Sequence, residues 1–266
     1  METRRRHIGR LQPAVIAGVM SREFANFRTF WKATTFSSIL EPVTYLLAFG
    51  LGLGSTLVDD VKVGGVEVPY IEFVGTGMIA VAVIFSSIMP AMFGTFVKHR
   101  FQRTYDAILA APVSVEELVT AEMLWIGIRS GLYCCFPLIV TFFFGLEPRL
   151  TMLLVPVFGF MTALGFAAAG ISVAAKAKKI DQFNYVTTLV VTPLFLIAGT
   201  FFPIDQLPEG AQFVANFNPL YQLVELVRGA AFGFEAVDLL RMLGLLLFAV
   251  VMWRIAVNWL TKRLID

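Results

Sequence analysis

A succession of long apolar segments limits the fold of this 266-residue chain more than any other feature. A helix that spans a bilayer needs about 20 consecutive, mostly apolar residues. Five segments meet this requirement, and a sixth meets it with an arginine toward each end, where a long side chain can reach the interface. The predicted spans are Thr35–Leu57, Ile71–Val97, Leu118–Leu146, Leu150–Ala175, Gln182–Ile204 and Val237–Leu260.

The composition supports a membrane protein and excludes an ordinary soluble domain. Apolar residues make up 58% of the chain and charged residues 15%, whereas soluble domains carry about 25% charged residues. We therefore predict an all-α integral membrane protein. Residues 1–33 form a cytoplasmic tail with an amphipathic helix, and residues 34–266 form one six-helix membrane domain.

The distribution of Lys and Arg predicts the orientation, because short cytoplasmic loops are enriched in these residues. With the N-terminus inside, 16 of the 21 Lys and Arg residues fall on the cytoplasmic side and four fall outside, with Arg129 within a span. This asymmetry predicts that both termini are cytoplasmic and that the number of spans is even. The expected location is the inner, or plasma, membrane.

The segment before the first span carries an apolar stripe at helical spacing. The stripe consists of Ile16, Met20, Phe24, Phe27 and Trp31, at steps of four, four, three and four. This pattern predicts an amphipathic helix, which either lies on the cytoplasmic membrane surface or packs on the protein itself.

The loop between the second and third spans predicts a short helix held between two long ones. Thr104 is a candidate N-cap residue, Asp106 suits the first turn, and Pro112 ends the helix. Ser114 and Glu117 have the spacing of a capping box, which would begin the third span. A rigid short helix here either transmits force from a partner or is an ordinary helical loop.

Among the charged residues of the predicted spans, Glu41, Glu122 and Arg129 are the candidates for a role, because charge within a membrane is costly and usually functional. Glu41 precedes Pro42 near the inner end of the first span. Glu122 and Arg129 are seven residues apart, so they share one face of the third span, about 10 Å apart along its axis. They either pair with a neighbouring helix or a second copy, or line a polar path.

Proline residues divide the segment between the fifth and sixth spans. Pro203 and Pro208 precede an apolar stretch that is too short to span. Asn218 and Pro219 are typical of a helix start, with Asn as the cap and Pro in the first turn. Glu225 and Arg228 are spaced for an i,i+3 ion pair. We expect two short re-entrant helices near the outer leaflet, which either gate an exit or cap the bundle.

Several chemistries lack a sequence signal. There is no phosphate-binding P-loop pattern, and the two histidines, His7 and His99, show no metal-site spacing. No polybasic nucleic-acid patch is present. The predicted spans contain no His and one Asp, Asp238 at the start of the sixth. This lack of clustered acid–base residues argues against a membrane-embedded enzyme acting on lipids. We predict no catalytic residue, no metal site and no cofactor in this chain.

Three stretches together resemble the ABC type-2 transporter permeases. The first is Arg103–Ser114, and the second is Gly199–Ile204 followed by Leu207-Pro208 and Asn218–Leu220. The third, Glu41-Pro42 before Tyr45–Gly52, is similar to the nodulation-factor (lipooligosaccharide) exporter branch.

The resemblance implies a permease that forms a dimer and binds two copies of a separate ATPase, which would hold ATP and Mg²⁺. It also implies that the short helix is a coupling helix seated in the ATPase. The residues it assigns to coupling are Arg103, Thr104, Tyr105, Asp106, Ala107, Ile108, Leu109 and Pro112. The outer-gate candidates are Pro203, Asn218, Pro219, Glu225 and Arg228.

The function that follows is ATP-driven export of an amphiphilic or lipid-linked substrate, such as a lipooligosaccharide. A hydrophobic-drug efflux permease of the same family is the alternative. A proton-coupled secondary transporter is a further alternative, because Glu41 or Glu122 could carry a proton, but no repeat of broken helices supports it.

Overall fold

The protein is mostly helical in a computed structural model that describes residues 11–53, 61–63 and 66–265. The α-helices are α1 (Pro13–Tyr45), α2 (Tyr70–Arg100), α3 (Thr104–Leu109), α4 (Val115–Tyr133), α5 (Cys135–Phe143), α6 (Val155–Lys176), α7 (Gln182–Val186), α8 (Thr192–Leu196), α9 (Glu209–Asn216), α10 (Pro219–Phe232) and α11 (Ala236–Ile265). Wider π-helical turns cover Leu46–Leu53 and Thr187–Val191, and 3₁₀ turns cover Leu150–Leu154 and Ile204–Gln206. An antiparallel pair of short strands, β1 (Val61–Val63) and β2 (Val66–Val68), precedes α2.

Four helical segments of the described chain are long and apolar enough to cross a membrane. They are Tyr70–Arg100, Val115–Phe143, Leu150–Lys176 and Ala236–Leu264, which correspond to the second, third, fourth and sixth predicted spans. The chain is therefore a multi-pass membrane protein.

The first predicted span begins inside a longer helix. α1 runs from Pro13 to Tyr45 without a break and continues as π-helical turns to Leu53. The boundary predicted at residue 33 is therefore not a helix end. The rest of this predicted span, and the side chain of Glu41, lie outside the described part of the chain.

The centre of the bundle is α6, which packs against α2, α4 and α11. Small residues permit the closest approach, because in lipid the association of helices depends on close packing. A Cβ atom built on Gly170 of α6 would lie 2.6 Å from Cβ of Ala91 and 2.7 Å from the Ile88 carbonyl oxygen of α2. α11 packs through Ala249 and Ala256 and leaves its leucine-rich face exposed.

The third predicted span is one helix with an irregular junction at Cys134, between α4 and α5. Pro137 has no N–H to donate to the carbonyl one turn earlier, which removes a helical hydrogen bond at this point.

The helix of the fifth predicted span ends at Leu196, eight residues before the predicted end at Ile204. Pro193 removes another backbone donor, and the preceding turn widens into the π-helical segment. Gly199 then adopts a φ of +71°, which favours glycine and turns the chain out of the helix. The Thr200 hydroxyl donates to the Phe195 carbonyl at 3.0 Å and satisfies one of the last acceptors of the helix.

Candidate functional site

The loop between α2 and α4 contains the predicted short helix, and the predicted capping box is confirmed. The Ser114 hydroxyl accepts from the Glu117 N–H at 3.2 Å, and the Glu117 carboxylate accepts from the Ser114 N–H at 2.9 Å. The prediction that Thr104 caps α3 is wrong. Arg103 occupies the cap position with a φ of +50°, a region that non-glycine residues seldom adopt, and its side chain makes no capping bond.

The short helix α3 has one buried and one exposed face. The Tyr105 side chain is fully buried under the helix. Asp106 and Ala107 are exposed, as are Arg103 before the helix and Pro112 after it, and Ile108 and Leu109 are half-buried. Phe101, just before α3, is 70% exposed. A partner could therefore contact this face directly, while Tyr105 connects the helix to the interior.

Beneath α3, charged and polar side chains from four helices converge in what we call the Lys98 cluster (Glu23, Thr95, Lys98, Tyr105 and Glu122). The Lys98 ammonium lies 2.9 Å from the Glu23 carboxylate of α1 and 2.8 Å from the Glu122 carboxylate of α4. The second Glu122 oxygen accepts from the Tyr105 hydroxyl at 2.5 Å and from the Thr95 hydroxyl at 3.4 Å. Glu122 therefore joins α2, α3 and α4.

Burial makes this cluster an energetically sensitive junction. The exposed fractions of the Glu23, Glu122 and Lys98 side chains are 7%, 3% and 17%. Glu122 therefore depends on Lys98 rather than on water, and Glu23 depends on Lys98 and on the Arg22 guanidinium, 3.0 Å away. Burial, together with the Glu122 charge, raises the pKa of the Tyr105 hydroxyl well above its usual value near 10. Tyr105 therefore remains protonated at neutral pH and acts as a donor.

α1 belongs to the same junction. Besides Glu23, it contributes Arg22, whose guanidinium lies 3.5 Å from the Thr104 hydroxyl. Phe24 and Phe27 contact the Trp125 ring of α4 edge-on at 5.9 and 5.7 Å. The predicted apolar stripe thus packs in part on α4, although Phe24 and Trp31 stay about half exposed.

The sequence analysis did not identify Glu23 as a candidate, and it counted Lys98 only among the 16 cytoplasmic Lys and Arg residues. A signal for Glu23 was present, because it lies three residues after Met20 and four before Phe27, on the apolar stripe itself. A carboxylate on the packed face of a helix requires a buried partner. The sequence does not indicate that this partner is Lys98, 75 residues away.

The predicted intramembrane residues Glu122 and Arg129 both face α2, as their spacing indicated. Glu122 bonds with Thr95 and Lys98, and Arg129 donates to the Ser86 carbonyl at 3.3 Å. They do not bond with each other.

A second charged group, the Arg228 cluster (Glu225, Arg228, Asp238 and Arg241), lies between α10 and α11. The predicted Glu225–Arg228 pair is confirmed at 3.5 Å. Arg241 bridges Glu225 at 3.1 Å and Asp238 at 2.6 Å. Arg228 is buried, donates to the Gly199 carbonyl at 2.7 Å and lies 3.8 Å from the centre of the Phe73 ring. The cluster therefore ties the turn after α8 to α2, α10 and α11.

The other outer-gate candidates flank the same turn. Asn218 caps α10, with Pro219 in its first turn as predicted, by accepting from the Leu220 N–H at 2.9 Å. Its amide also donates to the Leu194 carbonyl near the end of α8 at 2.7 Å, so one side chain joins two helix ends. Pro203 precedes the 3₁₀ turn Ile204–Gln206.

An apolar cavity of about 530 Å³ opens beside this turn. Aromatic rings from three parts of the fold line much of it: Tyr45, Phe49, Tyr70, Phe195, Phe201 and Phe202. Gln206 is the main polar side chain besides the two tyrosines. Size and lining are typical of sites that accept small apolar groups.

Replacing Tyr105 by phenylalanine keeps the buried ring and removes the hydrogen bond to Glu122. A hydrogen bond to a charged group contributes about 1.5–3 kcal/mol, so we expect a loss of that size in the free energy of unfolding, measured in detergent. Tyr185→Phe is the matched control, because the Tyr185 side chain is 68% exposed, and it should change stability by less than about 0.5 kcal/mol. Equal stability of the two variants would contradict the role assigned to the hydroxyl.

Comparisons with known proteins cover most of the chain. The model of the ABC-2 type transporter family matches residues 15–232. Nodulation protein J of Rhizobium leguminosarum bv. trifolii is 32% identical over 241 residues, which are 88% of this chain and 90% of that protein. Nodulation protein J of Rhizobium meliloti is also 32% identical, over 88% and 89%. The inner membrane transport permease YadH of Escherichia coli K12 is 25% identical, over 89% and 90%.

Proposed function

This chain belongs to the ABC-2 type transporter family, and we propose that it is the permease subunit of an ATP-driven exporter of an amphiphilic or lipid-linked substrate. A separate ATPase subunit supplies the energy, because the chain has no P-loop pattern of its own. ATP and Mg²⁺ belong to that subunit in this proposal.

The observation that carries the proposal is the construction of the loop between α2 and α4. The exposed side of α3 is accessible to a partner, and its buried side bonds through Tyr105 to Glu122. Glu122 and Lys98 connect this contact to α2, α4 and α1. A displacement of α3 by an ATPase would therefore act on three long helices at once. Residues 103–109 and Pro112 are the proposed coupling residues.

The proposed topology has six spans, with both termini in the cytoplasm. The four long apolar helices supply four crossings. The helix that continues α1 and the segment α7–α8 supply the others. Two copies of this chain and two ATPase subunits form the proposed complex in the inner membrane.

The proposed substrate is amphiphilic, and lipooligosaccharide-like. Support comes from the relatives named Nodulation protein J and from the aromatic cavity beside the turn at Gly199. The cavity suits the apolar part of such a molecule. The segment Pro203–Arg228, including the Asn218 cap, is the proposed exit gate, because the Arg228 cluster holds it against α11.

Reversing the charge of Asp106 tests the coupling role. Asp106 is exposed, so Asp106→Lys should insert and fold normally. Like charges brought together at an interface cost up to several kcal/mol, and we expect ATP-driven transport of a glycolipid into inside-out vesicles to fall at least tenfold, equivalent to about 1.4 kcal/mol.

The control is Glu147→Lys, which reverses an exposed carboxylate in the loop after α5, outside the proposed coupling and gate segments, and should leave transport unchanged. Recovery of an ATPase with the purified wild-type chain is expected, and its absence would contradict the proposal. Full transport activity of the Asp106→Lys variant would contradict the proposed coupling role of α3. Transport driven by a proton gradient and not by ATP would contradict the proposal and would support the alternative of a proton-coupled secondary transporter.

A further inference from the structure

Arg129 lies at the midpoint of a membrane-spanning segment. It is equally far from Val115 and Phe143, the ends of the third candidate span, about 21 Å from each at 1.5 Å per residue. Insertion of an arginine at the centre of a spanning helix costs about 2.5–3.5 kcal/mol. A residue held there at this cost requires an explanation.

The described residues compensate little of this charge. The Nη2 atom donates to the Ser86 carbonyl at 3.3 Å, and the Tyr133 ring centre is 5.9 Å from Cζ. The Nε atom is buried and has no partner among the described atoms. No described carboxylate lies within ion-pair distance of Arg129. A guanidinium carries five N–H donors, and the described atoms supply Arg129 with a single hydrogen bond, so most of these donors have no partner in the described part of the chain.

Arg228 shows how the same fold stabilises a buried arginine for structure. Its guanidinium has the Glu225 carboxylate at 3.5 Å, the Gly199 carbonyl at 2.7 Å and the Phe73 ring face at 3.8 Å. The Nε atom of Arg228 also has no partner among the described atoms. The difference is that Arg129 lacks a carboxylate among the described residues and has its aromatic ring farther away, at 5.9 Å. Its role therefore differs from that of a structural ion pair.

The surroundings of Arg129 place it where three helices meet. Trp125, one turn earlier on α4, contacts Phe24 and Phe27 of α1. Tyr133, one turn later, shares a 2.8 Å hydrogen bond with Thr35 of α1. Ser86 belongs to α2. The half-buried Arg129 side chain thus lies near the junction of α1, α2 and α4.

We propose that Arg129 binds the anionic group, a phosphate, sulfate or carboxylate, of an amphiphilic molecule that enters this junction from the membrane. The planar guanidinium fork matches such groups in a bidentate manner, and the attraction is stronger away from bulk water. Arg129 lies at the middle of an apolar spanning segment, which a hydrated free ion does not enter, so the anion is attached to an apolar chain. This inference rests on the proposed function and defines the substrate as an anionic amphiphile.

The test measures binding to the full-length chain in phosphatidylcholine nanodiscs without ATP. The probes are spin-labelled phosphatidic acid and the diacylglycerol with the same labelled chains, and electron paramagnetic resonance gives their relative association constants. Arg129→Gln should weaken binding of phosphatidic acid at least tenfold, or about 1.4 kcal/mol, and leave diacylglycerol unchanged. Arg129→Lys keeps the charge without the fork and should show an intermediate loss.

Arg254→Gln is the matched control, because Arg254 is exposed on α11. This variant should bind both probes as the wild type does. An equal loss in this control would assign the selectivity to surface charge and overturn the proposal. Displacement of phosphatidic acid by inorganic phosphate would assign the site to a free ion and also overturn it.

Unchanged binding in Arg129→Gln, or a lower dimer fraction with unchanged binding, would assign Arg129 to helix packing or to an interface between copies, against the proposal. If Arg129→Gln does not fold, the test depends on Arg129→Lys. Wild-type selectivity for phosphatidic acid in that variant would overturn the proposal. The binding test contains no ATP and is therefore independent of transport. If Arg129 binds phosphatidic acid selectively but the complex exports no substrate, only the proposed export function is refuted.

Discussion

Lys98→Met is expected to unfold the junction beneath α3 and to abolish ATP-driven transport. The substitution removes the cation that lies within 3 Å of both Glu23 and Glu122. Glu122 loses its cation, and Glu23 retains only the more exposed Arg22 guanidinium at 3.0 Å. Removal of one partner from a buried ion pair costs about 3–5 kcal/mol, because the remaining charge is uncompensated. We expect a loss of that size in the free energy of unfolding measured in detergent.

Two comparisons separate this effect from a general loss of charge. Lys262→Met removes an exposed lysine in the last turn of α11 and should change stability by less than about 0.5 kcal/mol. Adding Glu23→Gln and Glu122→Gln to Lys98→Met removes the uncompensated charges and should restore most of the lost stability. Wild-type stability of Lys98→Met alone would show that Lys98 does not compensate the two carboxylates.

Gly170→Val is the second substitution for which we expect a large effect. The position of its Cβ is already 2.6 Å from Cβ of Ala91 and 2.7 Å from the Ile88 carbonyl oxygen. The backbone of α2 cannot yield as a flexible side chain would, so α2 and α6 must separate. Overpacking a well-packed core costs about 1–3 kcal/mol, occasionally more, and we expect the upper part of this range because two backbones are involved.

Gly244→Val provides the control, because no atom lies within 4 Å of the corresponding Cβ position on α11. Both variants introduce the same side chain into a spanning helix. Thermal unfolding of the purified proteins should therefore show a large decrease for Gly170→Val and little change for Gly244→Val. Similar melting temperatures would contradict the close packing of α6 on α2 at Gly170.

Features confined to one helical turn could be predicted from the sequence. The Ser114–Glu117 capping box, the Asn218 cap and the Glu225–Arg228 pair each join residues two or three positions apart. Their geometry depends on the helix alone. The failure at Thr104 is instructive, because the chain enters α3 through a left-handed Arg103, which a residue pattern does not reveal.

The sequence predicted the positions of the spans better than it predicted their ends. Apolar length identified four helices that are long enough to cross the membrane. The early end of α8 was missed, since Phe201, Phe202 and Ile204 extend the apolar run beyond the turn. The carbonyls at the end of α8 are satisfied by Thr200 and by Asn218, 24 residues from its acceptor. Hydropathy does not register such capping.

The sequence by itself determined that this is a helical membrane protein, where four of its long helices lie and how several of them begin. These properties follow from segment length, composition and contacts within a helical turn. Only the tertiary structure decided that Glu23, Lys98, Tyr105 and Glu122 form one buried cluster and that Arg129 has no carboxylate partner among the described residues. The reason is physical: the energy of a charge within a membrane protein depends on which side chains the packed helices bring beside it, and residues 75 positions apart meet only after packing.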